Sequence, residues 1–321
     1  MAETPPIEAG RSQNEKRPIT GETSGVRVVA SSVTLRQRFQ DLMRYRELLG
    51  ALVRSEIKVK YKNSALGIAW TMVAPAVQLA IFGVVFGIFL SNGIPDYLIY
   101  IASGLLVWTF FSTSLIGGTG VIVGRAGIVK KVSFPREILS IATVGSQAFY
   151  LLLQWSVLAL FMILMRHAPD WTALPLVIAG FATTLLYAVA LAVLLSAVNV
   201  YFRDTQHLVE IFVQIWFWMT PIVYTYQHNI HERAVGKWFE FVNWLYLCNP
   251  MTPVILAFER AIYGRVTVTN TLSHQPFDVL PRWPLLTYYE LLAATFGIGL
   301  LLLAFAVRVF SRLEGNFAEE L

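Results

Sequence analysis

Long runs without charged residues alternate with short charged segments along most of this chain. The first run covers residues 67–90, and the last, at 285–307, holds only Glu290 as a charged residue. The runs are apolar on every side, whereas a surface helix of a soluble protein keeps a polar stripe. Since about 20 apolar residues cross the hydrocarbon core of a bilayer, each run is long enough for one helix. The pattern predicts six membrane spans, at about residues 67–90, 97–124, 138–165, 174–200, 209–227 and 285–307.

The segments outside these runs complete an all-α membrane protein in which residues 41–321 form a single transmembrane domain. Residues 1–40 are polar and rich in Pro, Gly, Ser and Thr, which predicts a disordered cytoplasmic tail without the apolar core of a signal peptide. From Leu42 to Lys62, apolar and charged positions lie on opposite sides of a predicted helix, which favours an amphipathic helix on the cytoplasmic membrane surface. The apolar stretch from Phe241 to Tyr263 is broken by Asn249-Pro250, which favours two short re-entrant helices in the outer leaflet.

The distribution of positive charge gives the chain an orientation. The composition, 56% hydrophobic and 14% charged, is that of a membrane protein. With the N-terminus inside, 19 of the 25 Lys and Arg residues fall on the cytoplasmic side. The positive-inside rule therefore predicts that both termini are cytoplasmic. The net charge of +5 then reflects topology, and no nucleic-acid partner is expected.

The sequence lacks the residues that enzymes and ion-coupled transporters need. It has no glycine-rich phosphate-binding loop, and its one cysteine excludes an intramolecular disulfide. His228 and His231 have no convincing third ligand nearby, so no metal site is predicted. The interiors of the spans carry almost no ionisable groups, which disfavours coupling to protons or sodium. No catalytic residue and no cofactor of this chain is predicted, so the energy for any transport comes from elsewhere.

Two charged loops on the predicted cytoplasmic side are candidates for contact with a soluble partner. The segment from Arg125 to Glu137 predicts a short helix ended by Phe134-Pro135, with an aromatic knob surrounded by charges. A basic loop that only fixes topology is the other interpretation. In the second loop, Arg203 and Asp204 either contact a partner or cap and pair with neighbouring helices. The candidate coupling residues are Arg125, Lys130, Lys131, Phe134, Pro135, Arg136, Glu137, Arg203 and Asp204.

Two further groups of residues could contact a substrate or the membrane surface. Lys58, Lys60 and Lys62 can meet anionic head groups or an acidic partner, although anchoring of the topology explains them equally well. Aromatic side chains crowd the second and fifth spans, where their faces could stack on sugar rings or belong to the interfacial belt. The candidate glycan-path residues are Tyr97, Tyr100, Trp108, Phe111, Trp216, Trp218 and Tyr224.

Five ordered sequence blocks resemble those of the ABC-2-type permeases that export polysaccharides such as O-antigen, teichoic acid and galactan. The blocks are Tyr61-Lys62-Asn63-Ser64-Ala65-Leu66-Gly67-Ile68-Ala69-Trp70, Val132-Ser133-Phe134-Pro135-Arg136-Glu137-Ile138-Leu139, Tyr201-Phe202-Arg203-Asp204, Thr220-Pro221-Ile222-Val223-Tyr224 and Asn249-Pro250-Met251-Thr252-Pro253 with Phe258 and Gly264. The long polar N-terminal extension resembles actinobacterial members that export cell-wall galactan. Thr220 stands where many relatives have serine.

The resemblance implies a type V exporter fold in a bacterial plasma membrane. It also implies that this chain forms the transport path while a separate protein hydrolyses ATP. A homodimer of this chain would join two copies of a separate ABC ATPase, which binds ATP and magnesium, and export a polyprenyl-diphosphate-linked polysaccharide. The segment Arg125 to Glu137 would be the coupling helix seated in the ATPase, and the helix from Leu42 to Lys62 would also contact it. Lys58, Lys60 and Lys62 would attract the diphosphate at the entrance. The re-entrant helices would close the outer mouth, with Asn249, Pro250, Pro253 and Phe258 as gate residues.

Two other functions remain compatible with the sequence alone. The same scaffold could export a drug or a small lipid. A polyprenyl-linked membrane glycosyltransferase or acyltransferase is less favoured, because it needs carboxylates or histidine in a cavity at the interface. The external carboxylates available for that role are Glu259, Asp278 and Glu290.

Overall fold

The computed structural model describes most of the chain beyond the N-terminal tail. The described residues are Gln40, 43–62, Ser64, 67–89, 94–132, 134–226, 237–269 and 276–321. Apart from Gln40, the predicted disordered tail lies outside them. We use "inner" for the end of the helices that carries the loop 125–136 and "outer" for the opposite end, following the predicted orientation.

The first described helix, α1 (Arg46–Tyr61), is the predicted amphipathic helix. It packs lengthwise against the fifth helix, α5 (Glu137–Leu164), and runs in the same direction. Val53 meets Gly145, whose missing side chain lets the helices approach, and Lys60 lies over the ring of Tyr150. One side of α1 is therefore covered by protein, and its placement on a membrane surface stays a prediction.

The first predicted span is a helix that changes geometry along its length. It begins as a 3-10 turn (Gly67–Ala69), continues as α2 (Trp70–Phe82) and ends as a π-helical segment (Gly83–Phe89). Gly67 has φ of 51°, a left-handed conformation that glycine adopts without a steric penalty. Pro75 lies inside α2 and removes one backbone hydrogen bond. The span lies at the edge of the described fold, since only 11% of the residues in its most apolar stretch are buried.

Four longer helices form the core: α3 (Tyr97–Gly124), α5, α6 (Pro175–Tyr201) and α10 (Leu285–Leu313). Each has 27 to 29 residues, so each is about 40 Å long and exceeds the hydrocarbon thickness. Helix α3 lies in the middle of the packing, with 78% of its most apolar window buried, and contacts both α5 and α6. Gly118 of α3 packs so closely on Ala192 of α6 that a Cβ atom would come within 2.5 Å of it. Small residues at this crossing replace the hydrophobic driving force that lipid cannot supply.

Five helices of the described chain are long and apolar enough to cross a membrane. The remaining predicted span, 209–227, corresponds to α7 (Thr205–Trp218), whose 14 residues reach only about 21 Å. Beyond Trp218 the backbone bends through Pro221 and is not helical up to Thr225. The all-helical membrane class is confirmed, whereas the count of six spans stays a prediction.

Two short helices occupy the outer segment where re-entrant helices were predicted. They are α8 (Lys237–Cys248) and α9 (Met251–Ile262), separated at Asn249-Pro250. Helix α9 is buried along its whole length against α3, α6 and α10, which places it inside the outer end of the core. Their insertion into the outer leaflet stays a prediction.

Three smaller elements complete the described chain. At the inner end lie α4 (Ala126–Val129) and, after a 3-10 turn (Glu314–Asn316), the terminal α11 (Phe317–Glu320). At the outer end, β1 (Thr267–Thr269) pairs with β2 (Pro276–Asp278) in an antiparallel hairpin. Val268 faces Phe277 in its register. The alternating β-branched residues of β1 are the sequence signal for this hairpin, which the all-helical prediction omitted.

Candidate functional site

The loop between α3 and α5 presents a mixed basic and apolar surface at the inner end. The four-residue helix α4 confirms a helical turn in this loop. Lys130 and Lys131 are exposed, as are the apolar Ile128 and Val132, at 47% and 55% of their surface. Two exposed apolar side chains beside two lysines are the features expected of a docking surface for another protein.

Phe134 does not form the exposed knob that the sequence suggested. It is half-buried and packs on the inner cluster, a group of buried residues that joins α3, α5, α6 and α10. The inner cluster consists of Val121, Ile122, Val129, Leu139, Val193, Ala197, Val200, Phe310 and Phe317. The block containing Phe134-Pro135 thus anchors the loop, and Ile128 and Val132 supply its exposed apolar surface.

Arg136 is engaged within the chain. Its Nη1 donates a hydrogen bond to the carbonyl oxygen of Glu314 at 2.7 Å, and its guanidinium lies 5.5 Å from the ring centre of Phe317. Glu137 is buried in the first turn of α5, where a carboxylate is favoured by the helix dipole. Arg136 therefore holds the loop against the C-terminal segment, whose involvement the sequence pattern did not reveal.

Arg125 connects the loop to α1. Its Nη2 lies 2.7 Å from Oε1 of Glu56 in a half-buried ion pair. The same carboxylate accepts hydrogen bonds from Thr143 at 3.0 Å and Ser146 at 2.7 Å, both on α5. Glu56 was not among the sequence candidates, although it is an acidic residue on the otherwise basic half of its helix. It joins α1, the loop and α5 through one side chain.

Arg203 and Asp204 are exposed between α6 and α7, next to Phe202, which is 70% exposed. Asp204 precedes the first residue of α7 without forming a side-chain cap. The beginning of α7 lies against α3, because Gln206 contacts Gly120. Both charged loops are thus brought to the inner end of α3, as a shared docking surface requires.

The three candidate lysines differ in their surroundings. All three are exposed, Lys58 and Lys60 on α1 and Lys62 directly after it. The Nζ atom of Lys60 lies 4.2 Å from the ring centre of Tyr150, a cation–π contact, at the edge of a cavity of about 240 Å³. Lys60 is therefore the lysine of the three that the fold positions in a cavity.

Most of the candidate glycan-path aromatics are inside the packed protein. Tyr97 and Tyr100 are buried and donate hydrogen bonds to the carbonyl oxygens of Val223, at 2.6 Å, and Tyr224, at 3.1 Å. Their faces are covered in this structure, so they do not line a surface along which a polymer could pass.

The remaining candidate glycan-path residues include both buried and exposed aromatic rings. Trp108 and Phe111 are buried against Trp216, with ring centres 6.1 and 5.2 Å away. Tyr224 is half-buried and its hydroxyl bonds to Trp218 O at 2.9 Å. Trp218, 52% exposed, is the path candidate whose ring is accessible in the described chain.

The predicted gate residues meet at the outer end. Asn249 accepts hydrogen bonds from Trp216 Nε1 at 2.8 Å and from the backbone of Met251 at 3.0 Å, and donates one to Thr220 Oγ1 at 2.9 Å. Pro250 then begins α9. This network joins the block after α7 to the block between α8 and α9.

Pro253 and Phe258 belong to the buried part of α9. Phe258 is fully buried against Gly180, where a Cβ atom would come within 2.9 Å of its ring, and against Trp155. The four predicted gate residues therefore fix α9 in place rather than line an opening. Their role in gating stays a prediction.

A polar cluster that the sequence analysis missed holds α9 to the neighbouring outer loop. Arg260 pairs with Asp170 at 2.5 Å, and the backbone N–H of Asp170 donates to Ala261 O at 3.0 Å. The hydroxyl of Thr172, together with Arg260, lowers the pKa of Asp170 to about 2. Charge-assisted hydrogen bonds in this cluster hold the C-terminal end of α9 against the outer loop.

His167 makes a second connection in the same region. Its Nδ1 is 3.0 Å from Asp96 Oδ2 and its Nε2 is 3.1 Å from Tyr263 O. Its ring also stacks on that of Tyr263. Asp96 lies just before α3 and Tyr263 just after α9, so this histidine bridges the two helices.

The three external carboxylates lie in different surroundings. Glu259 is fully buried, and burial raises its pKa well above the usual range. Asp278 is held by Thr267 and Arg282 on the hairpin, while Glu290 is exposed on α10. Neither of the two cavities beside α2 is lined by any of the three. Among the described residues, no group of three His, Cys, Asp or Glu side chains is placed to hold a metal ion.

Comparison with known proteins agrees with the helical architecture. Residues 47–263 match the family model described as ABC-2 type transporter. The chain is 28% identical over 284 residues to the O-antigen export system permease protein RfbA of Myxococcus xanthus, covering 88% of this chain and 98% of that protein. It is 24% identical over 276 residues to the protein of the same name from Klebsiella pneumoniae, covering 85% and 94%. The family match spans more than half of the chain and includes both charged loops, α7 and the paired outer helices. The chain therefore belongs to the ABC-2 type transporter family.

Proposed function

We propose that this membrane protein is the permease subunit of an ATP-driven exporter that moves a polyprenyl-diphosphate-linked polysaccharide across the plasma membrane. Two relatives that align over most of their length are named as O-antigen export permeases, which supports a polysaccharide substrate. O-antigen, teichoic-acid and galactan types of polymer all fit this proposal. The chain itself acts in transport, and ATP and magnesium are bound by a separate ABC ATPase.

The observation that carries the proposal is the exposed apolar and basic surface of the loop 125–132. Ile128 and Val132 would enter a groove on the ATPase, with Lys130 and Lys131 pairing with acidic groups at its rim. The exposed Arg203 and Asp204 would extend the contact. This surface faces the cytoplasm in the proposed orientation, with both termini inside.

Contacts within the chain supply a route by which the ATPase would move the spans. The loop continues directly into α3 and α5, reaches α1 through Arg125 and Glu56, and reaches the end of α10 through Arg136 and Glu314. A displacement of α4 would therefore be transmitted to four helices at once. Two copies of the chain would form the pathway, each bound to one ATPase copy, and α8 and α9 would close its outer mouth.

The test is ATP hydrolysis by this protein co-purified with an ABC ATPase of the same organism. The double variant Ile128→Asp, Val132→Asp places two charges in the proposed groove, so we expect the affinity for the ATPase to fall more than about tenfold. Hydrolysis stimulated by the lipid-linked polysaccharide should fall with it. Trp171→Ser, which changes an exposed aromatic at the outer end, is the matched control and should behave like the wild type.

Two results would contradict the proposal. Failure of any ABC ATPase to bind the wild-type protein would remove the energy source. Normal binding and stimulation in the double variant would show that the loop 125–132 is not the docking surface.

A further inference from the structure

A groove runs between α2 and the two helices behind it, α3 and α5. It consists of an inner compartment of about 240 Å³ and an outer compartment of about 260 Å³. Pro75 and Gln154 line both compartments, so the two adjoin. The groove lies beside the least buried of the five long apolar helices described.

The inner compartment is mostly apolar, but it has several polar side chains and one cation in its wall. Its wall includes Lys60, Thr113, Gln147 and Tyr150, and no carboxylate. The Lys60 Nζ atom has no carboxylate partner within 4 Å among the described residues. Glu56, one turn earlier on α1, is already bound to Arg125. Partial burial lowers the pKa of Lys60, and an anion bound at its ammonium would offset that effect.

A second polar group in this wall lacks a good partner. The Tyr61 hydroxyl is closed off from solvent near Tyr150 and Thr71, yet makes no hydrogen bond of ordinary geometry to either. Buried hydroxyl groups are nearly always hydrogen-bonded in native proteins. Lys60 can donate to an anionic oxygen directly, and Tyr61 can do so once a shift of its ring uncovers the hydroxyl, so the compartment has the donors of an anion site.

The outer compartment is almost purely apolar. It is lined on α2 by Ala76 and Leu79, on α3 by Leu98 and Leu106, and on α5 by Phe161, among others. These positions lie farther toward the outer end of each helix than those of the inner compartment. A molecule that fills both would be anionic at its inner end and apolar beyond it.

Lys60 of α1, whose ammonium lies over Tyr150 of α5, is close to the expected inner boundary of the hydrocarbon core. Counting about 20 residues back from Leu164 puts the inner hydrocarbon boundary near Gly145. Tyr150, under Lys60, lies five residues beyond Gly145, which is about 8 Å along the helix. A lysine this close to the boundary can reach a phosphate there, since long basic side chains extend toward the interface.

We infer that this groove binds the lipid anchor of the exported polymer, with a polyprenyl phosphate group at Lys60 and Tyr61 and its chain between α2 and the α3–α5 pair. The inference rests on the proposed function for the identity of the anchor. The groove has one cation, Lys60, at its inner end and one apolar compartment beyond it. This arrangement fits a lipid with a single hydrocarbon chain for each phosphate group. A bilayer phospholipid brings two chains to each phosphate and would leave one of them outside the groove.

The experiment uses the full-length protein in nanodiscs with a photoreactive short-chain polyprenyl phosphate, and the labelled peptides are identified by mass spectrometry. We expect labelling at residues 70–82 and 147–161. Lys60→Gln should weaken binding about tenfold, because it removes a charge-assisted contact, and Lys60→Arg should retain it. Ala76→Trp, which fills the apolar compartment, should abolish labelling there.

Matched variants separate the groove from nonspecific effects. Lys58→Gln removes an exposed lysine of the same helix, and Val77→Trp adds the same bulk to an exposed face of α2 that does not line the groove. Both should label like the wild type, and thermal unfolding identifies any variant that fails to fold.

Several outcomes would overturn the inference. Labelling that is unchanged in Lys60→Gln, or equally strong with a prenol lacking phosphate, would remove the phosphate site. Competition by phosphatidylglycerol as effective as that by polyprenyl phosphate would assign the groove to a bilayer lipid. These assays need no ATPase, so a negative result leaves the proposed function intact, whereas loss of ATPase coupling leaves the groove intact.

Discussion

Single side chains at the two ends of the bundle differ in what they hold together. At the outer end, Asp170 combines an ion pair to Arg260 with a hydrogen bond from Thr172. At the inner end, Arg136 uses its guanidinium on a backbone carbonyl and a ring of the same chain. Asp170 holds α9 at the outer end, and Arg136 holds the segment containing α11 at the inner end. A substitution at either residue should therefore loosen one end of the bundle selectively.

The lowered pKa of Asp170 predicts a pH dependence. Because its pKa in the folded protein, about 2, is below the ordinary value of 3.8, the ionised form is stabilised by folding. That contribution is complete above about pH 4 and disappears as the pH falls toward 2. Asp170→Asn should therefore unfold at a lower temperature than the wild type at pH 7, with the difference shrinking below pH 4. Thermal unfolding measured across this range would test it, and a difference that persists unchanged at pH 2 would contradict it.

Among the helices, α1 depends on one buried carboxylate for its attachment to α5. Glu56 is bound by Arg125, Thr143 and Ser146, and its side chain is only 14% exposed. Glu56→Gln should lower the stability by about 1.5–3 kcal/mol, because it leaves Arg125 without its partner. The variant should also release α1, which faster hydrogen exchange of residues 46–61 would show.

Glu47→Gln provides the comparison for this test. Glu47 is exposed in the first turn of the same helix and should change the unfolding temperature little. Equal effects of the two substitutions would mean that the attachment of α1 does not depend on Glu56.

The helices show which features a sequence can predict and which it cannot. Length and hydropathy were enough to locate α3, α5, α6 and α10, because crossing a bilayer requires a long apolar run. The same uniform hydropathy concealed which aromatics are inside, since a helix apolar on all sides has no polar stripe to mark its exposed face. Tyr97 and Trp108 were therefore taken as path residues although α3 is buried on nearly every side.

Contacts between distant segments were also beyond the reach of sequence patterns. The sequence cannot tell whether the hydrophobic ring of Phe134 is exposed on the loop or packed on the inner cluster. The positions of α10 and α11 show that it packs on the cluster. The partners of Glu56 and Asp170 are 69 and 90 residues away in the chain. Local sequence patterns therefore gave no sign of either ion pair.

For the molecule as a whole, the C-terminal segment is predicted to stiffen the connection between the docking loop and the spans. Phe317 is fully buried in the inner cluster, packs on Phe310 and Tyr201, and lies under Arg136. Phe317→Ala should cost about 3–5 kcal/mol of stability and reduce the ratio of substrate-stimulated to basal ATP hydrolysis in the complex. Glu320→Ala, at an exposed position of α11, is the control. Full coupling in a folded Phe317→Ala variant would exclude a role of this segment in transmission.

The peripheral position of α2 has a mechanical consequence. An interior as densely packed as that around α3 does not yield gradually, because many contacts would have to break together. Of the residues in the most apolar stretch of each span, 11% are buried for the span containing α2 and 78% for α3. A transporter that must admit a bulky substrate from the side, rather than through its end, would therefore open along α2 first.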